Sequence, residues 1–326
     1  MSRTTQPIIS SLATATFAVL LASSLAGQQF LNGSFENWGP STSCSINQAP
    51  DSWVHYNGLN TPGVDEGNFV ACLHTIPAGA HDGVTYVRSY AILNGGEGVQ
   101  QVVSGFVPGM SYTLRYHYAG SNKYGGTADG FWRVTRDAVA IDNTPTYSSL
   151  QTSWTQREVT FTATATSHAI GFRGFREPSA GGSASLGLDN VSITQLADAS
   201  PYGSPCSVGS VLGLASNAPA LGSTWTLQGS GIEAVSSLAV FWFGDSALLS
   251  PLDLSGFGAA GCFAHTNGNI GAFSAPASGG SSSYSVAVPT VPVLIGSQLF
   301  VQMSAASTAT IVGFTTSNGL AGTIGG

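Results

Sequence analysis

Charged side chains are scarce in this chain of 326 residues. Asp, Glu, Lys and Arg together make up only 8% of it, and Lys123 is the only lysine, whereas about a quarter of an ordinary soluble domain is charged. Disorder does not explain the shortage, because 43% of the residues are hydrophobic and 10% are aromatic. The composition is typical of many short strands joined by turns of small residues. The net charge of −7 argues against binding of nucleic acid, which requires a basic face.

Long apolar runs are absent beyond the N-terminus. There, Arg3 precedes a stretch from about Ile8 to Leu25 in which every residue is apolar or small, and small residues follow at its end. This pattern predicts a signal peptide at 1–27. The alternative is a membrane anchor, for which the run is short and interrupted by Ser and Thr. We therefore expect a secreted or cell-surface protein with no membrane span after cleavage.

Cysteine is limited to four residues, and an even number in an exported protein predicts disulfide bonds. Three pairings are possible. Because two cysteines fall in each half of the chain, bridges within the halves are favoured. A metal site is the competing possibility, but zinc is disfavoured because no C-x-x-C pair occurs. The favoured bridges are Cys44–Cys72 and Cys206–Cys262.

Two regions with the alternation of half-buried strands flank a stretch of small residues and proline at 197–205. In the first region, every second residue of 112–118 is aromatic or apolar, which is typical of a strand with one buried face. In the second, 238–243 is nearly all apolar, which predicts a central strand covered on both faces. We therefore predict an all-β protein made of two β-sandwiches. The predicted domains are 28–197 and a smaller one at 203–326, with a linker at 198–202.

Six short motifs follow one another through the first region. They are LNGSFE at 31–36, DSW at 51–53, GVQQVV at 98–103, VPGMSY at 107–112, Trp154 followed by TFTA at 160–163, and LDNVSI at 188–193. In this order and spacing they resemble the galactose-binding-like jelly-roll family, to which many carbohydrate-binding modules belong. The resemblance implies that the first sandwich is a jelly roll and that its partner is carbohydrate or envelope polysaccharide. It does not indicate which residues contact the ligand.

The same resemblance implies a structural calcium ion, because the opening and closing segments of that family often lie side by side and share one. Here the carboxylates of Glu36 and Asp189 and the backbone carbonyl of Asn32 would bind it. Calcium prefers six to eight oxygen ligands in flexible geometry, which suits this set. The alternative is that the two acids only accept hydrogen bonds from neighbouring backbone.

A second set of motifs runs through the C-terminal region. It consists of YGSPC at 202–206, ALG at 220–222, PLDL at 251–254, GC at 261–262 and SNGL at 317–320. These are similar to a small C-terminal β-domain that is repeated among exported planctomycete proteins. The similarity implies an extracellular setting and a Cys206–Cys262 bridge, and it implies no known activity.

Polar groups suited to a ligand alternate with apolar ones on two predicted strands of the first region. Arg115 and His117 lie on the polar side of one strand, and Arg133 lies on the polar side of the next. If the two strands are neighbours, these side chains line one concave surface. Sugar-binding sites usually offer an aromatic ring for the apolar side of the sugar and planar groups for its hydroxyls. Tyr124, in a glycine-rich loop, would place such a ring at the rim of this surface. Alternatively, the Tyr124 ring anchors the loop. Three tryptophans are expected in the core: Trp53, Trp132 and Trp154.

One segment has the appearance of catalytic machinery. GDSAL at 244–248 is similar to the nucleophile block of the GDSL esterases, but those enzymes are α/β proteins with a later Asp-x-x-His. The only later histidine here is His265, which Cys262 precedes by three residues, and a serine without a base is a poor nucleophile. We therefore predict a secreted, non-catalytic protein that binds carbohydrate. The alternatives are a structural or adhesive envelope protein with a protein partner, and an extracellular hydrolase with an unrecognised site.

Overall fold

The computed structural model describes residues 29–39, 47–56, 65–68, 79–91, 96–121, 129–147, 153–178 and 184–326, without the side chains of 65–68 and 121. The predicted signal peptide, Cys44, Cys72 and Tyr124 lie outside these residues. In the described part of the chain the secondary structure consists of strands and two short 3-10 helices, so the predicted all-β class is confirmed. No helix in that part is long and apolar enough to cross a membrane.

The first unit is a jelly-roll β-sandwich of two antiparallel five-stranded sheets. Sheet I has the strand order β1-β4-β9-β6-β7, and sheet II has the order β2-β3-β10-β5-β8. Its strands are β1 (Val54–His55), β2 (Asp65–Asn68), β3 (Thr85–Ala91), β4 (Gly98–Ser104), β5 (Ser111–Ser121), β6 (Gly130–Arg136), β7 (Val139–Asn143), β8 (Thr155–Thr162), β9 (Ser167–Arg176) and β10 (Ala184–Gln195).

Alternating side chains fill the space between the two sheets. On β5 the predicted alternation is confirmed: Tyr112, Leu114, Tyr116 and Tyr118 are buried in one core cluster with residues of the other strands. Two of the three tryptophans lie in the same cluster, and the indole Nε1 of Trp132 donates a hydrogen bond to the Gly187 carbonyl at 3.0 Å. Each strand thus turns one face to the core and the other outward.

Trp154 differs from the expectation for the tryptophans. It is only partly buried and packs with Tyr86 and Ala119 in a separate small cluster. Ala119 follows the core residue Tyr118 on β5, so this cluster lies on the outer face of sheet II, the face that points away from the core between the sheets.

The second unit is one eight-stranded sheet, in the order β11-β20-β19-β14-β17-β18-β13-β12, with a separate pair β15-β16. The sheet bends so that β12 approaches β20, and its halves enclose a single apolar core. The strands are β11 (Asp198–Tyr202), β12 (Gly213–Ser216), β13 (Thr224–Ser230), β14 (Leu238–Gly244), β15 (Ala247–Asp253), β16 (Phe263–Thr266), β17 (Gly271–Ser278), β18 (Ser281–Ala287), β19 (Gln298–Ala306) and β20 (Phe314–Thr323); the 3-10 helices are Ser255–Phe257 and Pro292–Leu294.

Two details of this unit correct the sequence analysis. Residues 198–202, predicted as a linker, form β11 and pair with β20 at the edge of the sheet. Pro201, the proline that suggested a boundary, is compatible with an edge strand. Proline has no backbone N–H, and on an edge strand the N–H that faces away from the sheet has no strand partner. Strand β14 is central, as predicted, but only one face of it is covered: Leu238 and Trp242 are 52% and 43% exposed.

The predicted Cys206–Cys262 disulfide is present and joins residues 56 positions apart. It lies in a small apolar cluster around Ala259. The Thr316 N–H also donates to Cys206 Sγ at 2.9 Å, so the bridge is attached to β20. It therefore connects the start of the second unit to the turn before β16.

Removing this bridge should destabilise the second unit. We expect the Cys206→Ala/Cys262→Ala double variant to lose about 2–5 kcal/mol of unfolding free energy, because the cross-link restricts the unfolded chain. Denaturant unfolding of the oxidised parent, the reduced parent and the variant provides the measurement. The reduced parent is the matched control and should behave like the variant; an unchanged midpoint in both would show that the bridge contributes nothing.

Candidate functional site

The three predicted arginine and histidine side chains do not share one surface. Arg115 and His117 are on β5 in sheet II, whereas Arg133 is on β6 in sheet I. Both sets point outward, so the core of the sandwich lies between them. The chain crosses from one sheet to the other between these consecutive strands, and strand alternation alone cannot reveal such a crossing.

Arg115 is engaged in a surface ion pair. Its Nε donates to Glu158 Oε1 at 2.7 Å, across the β5–β8 pair, and both side chains are about half exposed. An exposed pair of this kind contributes at most about 1 kcal/mol. Nothing else at this position favours a ligand.

His117 is covered rather than presented to solvent. It is 7% exposed, and the His81 ring stacks on it with centroids 3.5 Å apart and planes 15° from parallel. Burial lowers the pKa of His117, and the neighbouring His81 lowers it further. His117 Nδ1 has no hydrogen-bond partner. A ligand would have to displace the segment around His81 to reach this ring.

That covering segment is held by the two acids predicted to bind calcium. Asp189 Oδ2 accepts the N–H groups of His81 and Asp82 at 2.7 and 3.0 Å. Glu36 Oε1 accepts the N–H groups of Val84 and Thr85 at 3.0 and 2.9 Å. Glu36 and Asp189 thus hold segment 81–85 at its two ends, and we call this arrangement the acid clamp.

Gly83 occupies the middle of the clamped segment. Its φ is +66°, and a Cβ there would lie 2.4 Å from the Glu36 Oε1 atom. Only glycine combines this backbone conformation with the close approach of a carboxylate.

The oxygens predicted to bind calcium accept hydrogen bonds, as in the alternative considered for the two acids. The second oxygen of Asp189 accepts the Asn190 N–H at 2.7 Å, and the Asn32 carbonyl accepts the Trp53 indole N–H and the Phe35 N–H. Each of these oxygens therefore already accepts at least one hydrogen bond from an N–H group. Among the described residues, no three His, Cys, Asp or Glu side chains group to hold a metal. Burial raises the pKa of Asp189 to about 7, although the N–H groups of Asp82, Asn190 and His81 act in the opposite direction.

Calcium should consequently leave the stability of the protein unchanged. We expect the same melting temperature for the full chain in excess EDTA and in millimolar calcium, because the clamp oxygens already have hydrogen-bond donors. Differential scanning calorimetry gives the measurement. A melting temperature that rises with calcium in the parent, and not in Asp189→Asn, would instead restore the calcium site predicted from the sequence.

The outer face of sheet I carries a different kind of surface. Three half-buried rings and two half-buried guanidinium groups lie together on it, with an exposed amide beside them. We call this set the aromatic–arginine face, and its members are Tyr56, Phe131, Arg133, Asn143, Arg173 and Phe175.

Strand register places these side chains in rows. Phe131 pairs with Phe175, and Arg133 pairs with Arg173, across β6 and β9. The two phenylalanine rings stack with centroids 5.5 Å apart. Asn143 continues the arginine row on β7, and its Oδ1 accepts the Arg133 Nε–H at 3.1 Å.

Guanidinium groups lie over the rings of this face. The Arg133 Cζ atom is 4.2 Å from the centroid of Phe175, and the Arg173 Cζ atom is 5.4 Å from the same centroid. Arg173 is also 5.9 Å from the Tyr56 centroid. Cation–π contacts at these distances hold the planar guanidinium groups in fixed directions.

The local sequence explains why the face forms. In β6 the core residues Trp132 and Val134 alternate with outward residues, and β9 does the same with Ile170 and Phe172. At Gly171 a Cβ would lie 2.7 Å from the Tyr56 ring, so a glycine is needed for that ring to approach the strand so closely. Of the face, only Arg133 was predicted as a site residue. The sequence did contain a signal for the other residues, in the mirrored spacings Phe131-x-Arg133 and Arg173-x-Phe175. When two strands with such mirrored spacings pair antiparallel, phenylalanine can lie opposite phenylalanine and arginine opposite arginine.

The serine of the GDSAL segment has no catalytic partner in the described part of the chain. Ser246 Oγ accepts a hydrogen bond from the Asn267 side-chain amide at 2.9 Å. The ring Nε2 of His265 instead lies 2.8 Å from the Ser204 carbonyl oxygen. Asp245 accepts the side-chain amides of Asn267 and Asn269, so the segment is a hydrogen-bonded turn between β14 and β15.

Comparison with known proteins adds little to this geometry. No family model matches the chain, and no curated protein matches it significantly. Among solved structures, TmCBM61 in complex with β-1,4-galactotriose is 12% identical and matches 52% of this chain and 99% of its own, with a TM-score of 0.33. The CBM22-1 xylan-binding domain of Paenibacillus barcinonensis Xyn10C is 12% identical and matches 47% of this chain and 96% of its own, with a TM-score of 0.31. The K2 adhesin domain of Lys-gingipain is 18% identical and matches 51% of this chain and 97% of its own, with a TM-score of 0.33. At these values the similarities identify no ligand for this chain.

Proposed function

We propose that the first unit binds a carbohydrate chain on the aromatic–arginine face, outside the cell, and does not transform it. The observation that carries the proposal is the grouping of half-buried rings and guanidinium groups on the outer face of sheet I. A face that only needed to be soluble would carry scattered polar groups. Rings accept the apolar side of a sugar, and planar donors bind its hydroxyl groups.

The location outside the cell rests on two features of the chain. The apolar N-terminal stretch has the pattern of a signal peptide. The Cys206–Cys262 disulfide is typical of oxidising compartments. A binding protein rather than an enzyme is favoured because the aromatic–arginine face carries no pair of carboxylates, which most glycoside hydrolases require.

The open face predicts weak binding. An outer sheet face encloses little of a sugar chain, so we expect dissociation constants in the micromolar to millimolar range, or about −4 to −8 kcal/mol. Affinity of this order suits retention on an insoluble polymer, where many sites act together.

Replacing one ring should weaken binding markedly. We expect Phe131→Ala to reduce affinity about tenfold or more, because burying a phenylalanine ring contributes about 1.5–3 kcal/mol. The measurement is affinity electrophoresis of the full chain in gels containing soluble xylan, galactan, polygalacturonate or alginate. Tyr56→Ala should act in the same direction.

The matched control for these variants is Val102→Ala. Val102 is an exposed apolar residue on the outer side of β4 in the same sheet, and its loss should leave migration unchanged. Melting temperatures establish that all variants are folded. If no polysaccharide retards the parent while envelope protein fractions do, the adhesive alternative replaces this proposal.

A further inference from the structure

We propose that the aromatic–arginine face recognises an anionic polysaccharide, through a carboxylate or sulfate group held between Arg133 and Arg173. This inference rests on the proposed function and specifies that the sugar chain is negatively charged. The two arginines are directly opposite each other in the β6–β9 pair, where like charges destabilise a sheet.

Neither arginine has an acidic partner in the described part of the chain. Arg133 Nε donates to the neutral Asn143 amide oxygen, and Arg173 Nε donates to the Gly96 carbonyl at 3.3 Å. Arg115 and Arg157, by contrast, form ion pairs with Glu158 and Asp142. The two guanidinium groups of the face are thus oriented by neutral acceptors and rings, with donors left for a ligand.

The acids closest in sequence and register do not reach this pair. Glu97 adjoins Gly98, which is opposite Arg173, but its Oε2 accepts the Tyr90 N–H at 2.6 Å. Asp129 and Glu177 lie beyond the Phe131–Phe175 pair, at the other end of the face from the arginines. Glu177 Oε1 accepts the Thr146 hydroxyl.

The segments that the structure does not describe contain no acidic residues. Ranges 1–28, 40–46, 57–64, 69–78, 92–95, 122–128, 148–152 and 179–183 contain no Asp or Glu. The remaining acids whose side chains are not described, Asp65 and Glu66, are in β2, which pairs with β3 in sheet II. Among the described residues no acid forms an ion pair with Arg133 or Arg173, so both guanidinium groups are available to an anion from outside the chain.

An anionic group on a sugar meets this requirement. A carboxylate or sulfate accepts hydrogen bonds from both guanidinium groups, and such charge-assisted pairs are stronger than neutral ones. The anion also removes the repulsion between the two arginines. General attraction does not explain such binding, because the chain has a net charge of −7 and repels polyanions overall.

The test compares one polymer with and without its charge. Affinity electrophoresis of the full chain is run with polygalacturonate and with its fully methyl-esterified form, and dextran sulfate is compared with dextran as the sulfate arm. We expect the charged form of at least one pair to bind about tenfold more tightly at 50 mM salt. The preference should shrink severalfold at 500 mM salt, because screening weakens exposed charge pairs.

The variants separate this inference from the proposed function. Arg133→Gln and Arg173→Gln should each remove most of the preference for the charged form, with melting temperatures equal to or above that of the parent. Arg115→Gln, which removes an ion-paired arginine from sheet II, is the matched control and should leave the preference intact. Equal binding of charged and neutral forms that Phe131→Ala still abolishes would overturn the anion inference and keep the proposed function. No effect of Phe131→Ala on any form would overturn both.

Discussion

The antiparallel pairing of β6 with β9 is the contact on which the candidate site depends. Its register aligns Phe131 with Phe175 and Arg133 with Arg173. The same register buries Trp132 and, on β9, the core residues Ile170 and Phe172 between the sheets. A slip of one residue would exchange the two faces of the strand and expose the core residues. The packing that stabilises the sandwich therefore also fixes the geometry of the outer surface.

The outer faces of the two sheets have different environments. On sheet II, segment 81–85 lies over His117 and is held by the carboxylates of Glu36 and Asp189. On sheet I, the Tyr56 ring packs closely against Gly171, and the neighbouring rings and guanidinium groups stay partly exposed. The described side chains on the outer face of sheet I thus stay partly exposed, whereas the described part of sheet II around His117 is already covered by the protein itself.

Few charges are present, and most of those in the first unit have internal partners. Glu36 and Asp189 accept backbone N–H groups, and Asp142 accepts the Arg157 guanidinium together with the Tyr116 hydroxyl. Arg133 and Arg173 are adjacent, and neither has a carboxylate partner among the described residues. The cation–π contacts with Phe175 offset part of the repulsion between the two guanidinium groups. Under our proposal, a bound anion removes the rest of this repulsion.

The sequence by itself determined the all-β class and the inward alternation of β5, because both follow from local periodicity. It favoured the Cys206–Cys262 pairing, because two cysteines fall in each half of the chain. Only the tertiary structure decided which strands are neighbours. Arg115 and Arg133 have the same local pattern, yet a crossing between the sheets separates them. Arg133 and Arg173 are 40 positions apart in the chain and become cross-strand neighbours. Residues 198–202 resemble a linker locally and become a strand only because β20 offers its edge. Local patterns report the face on which a side chain lies, whereas its neighbours are set by long-range strand pairing, which depends on the packing of the whole core.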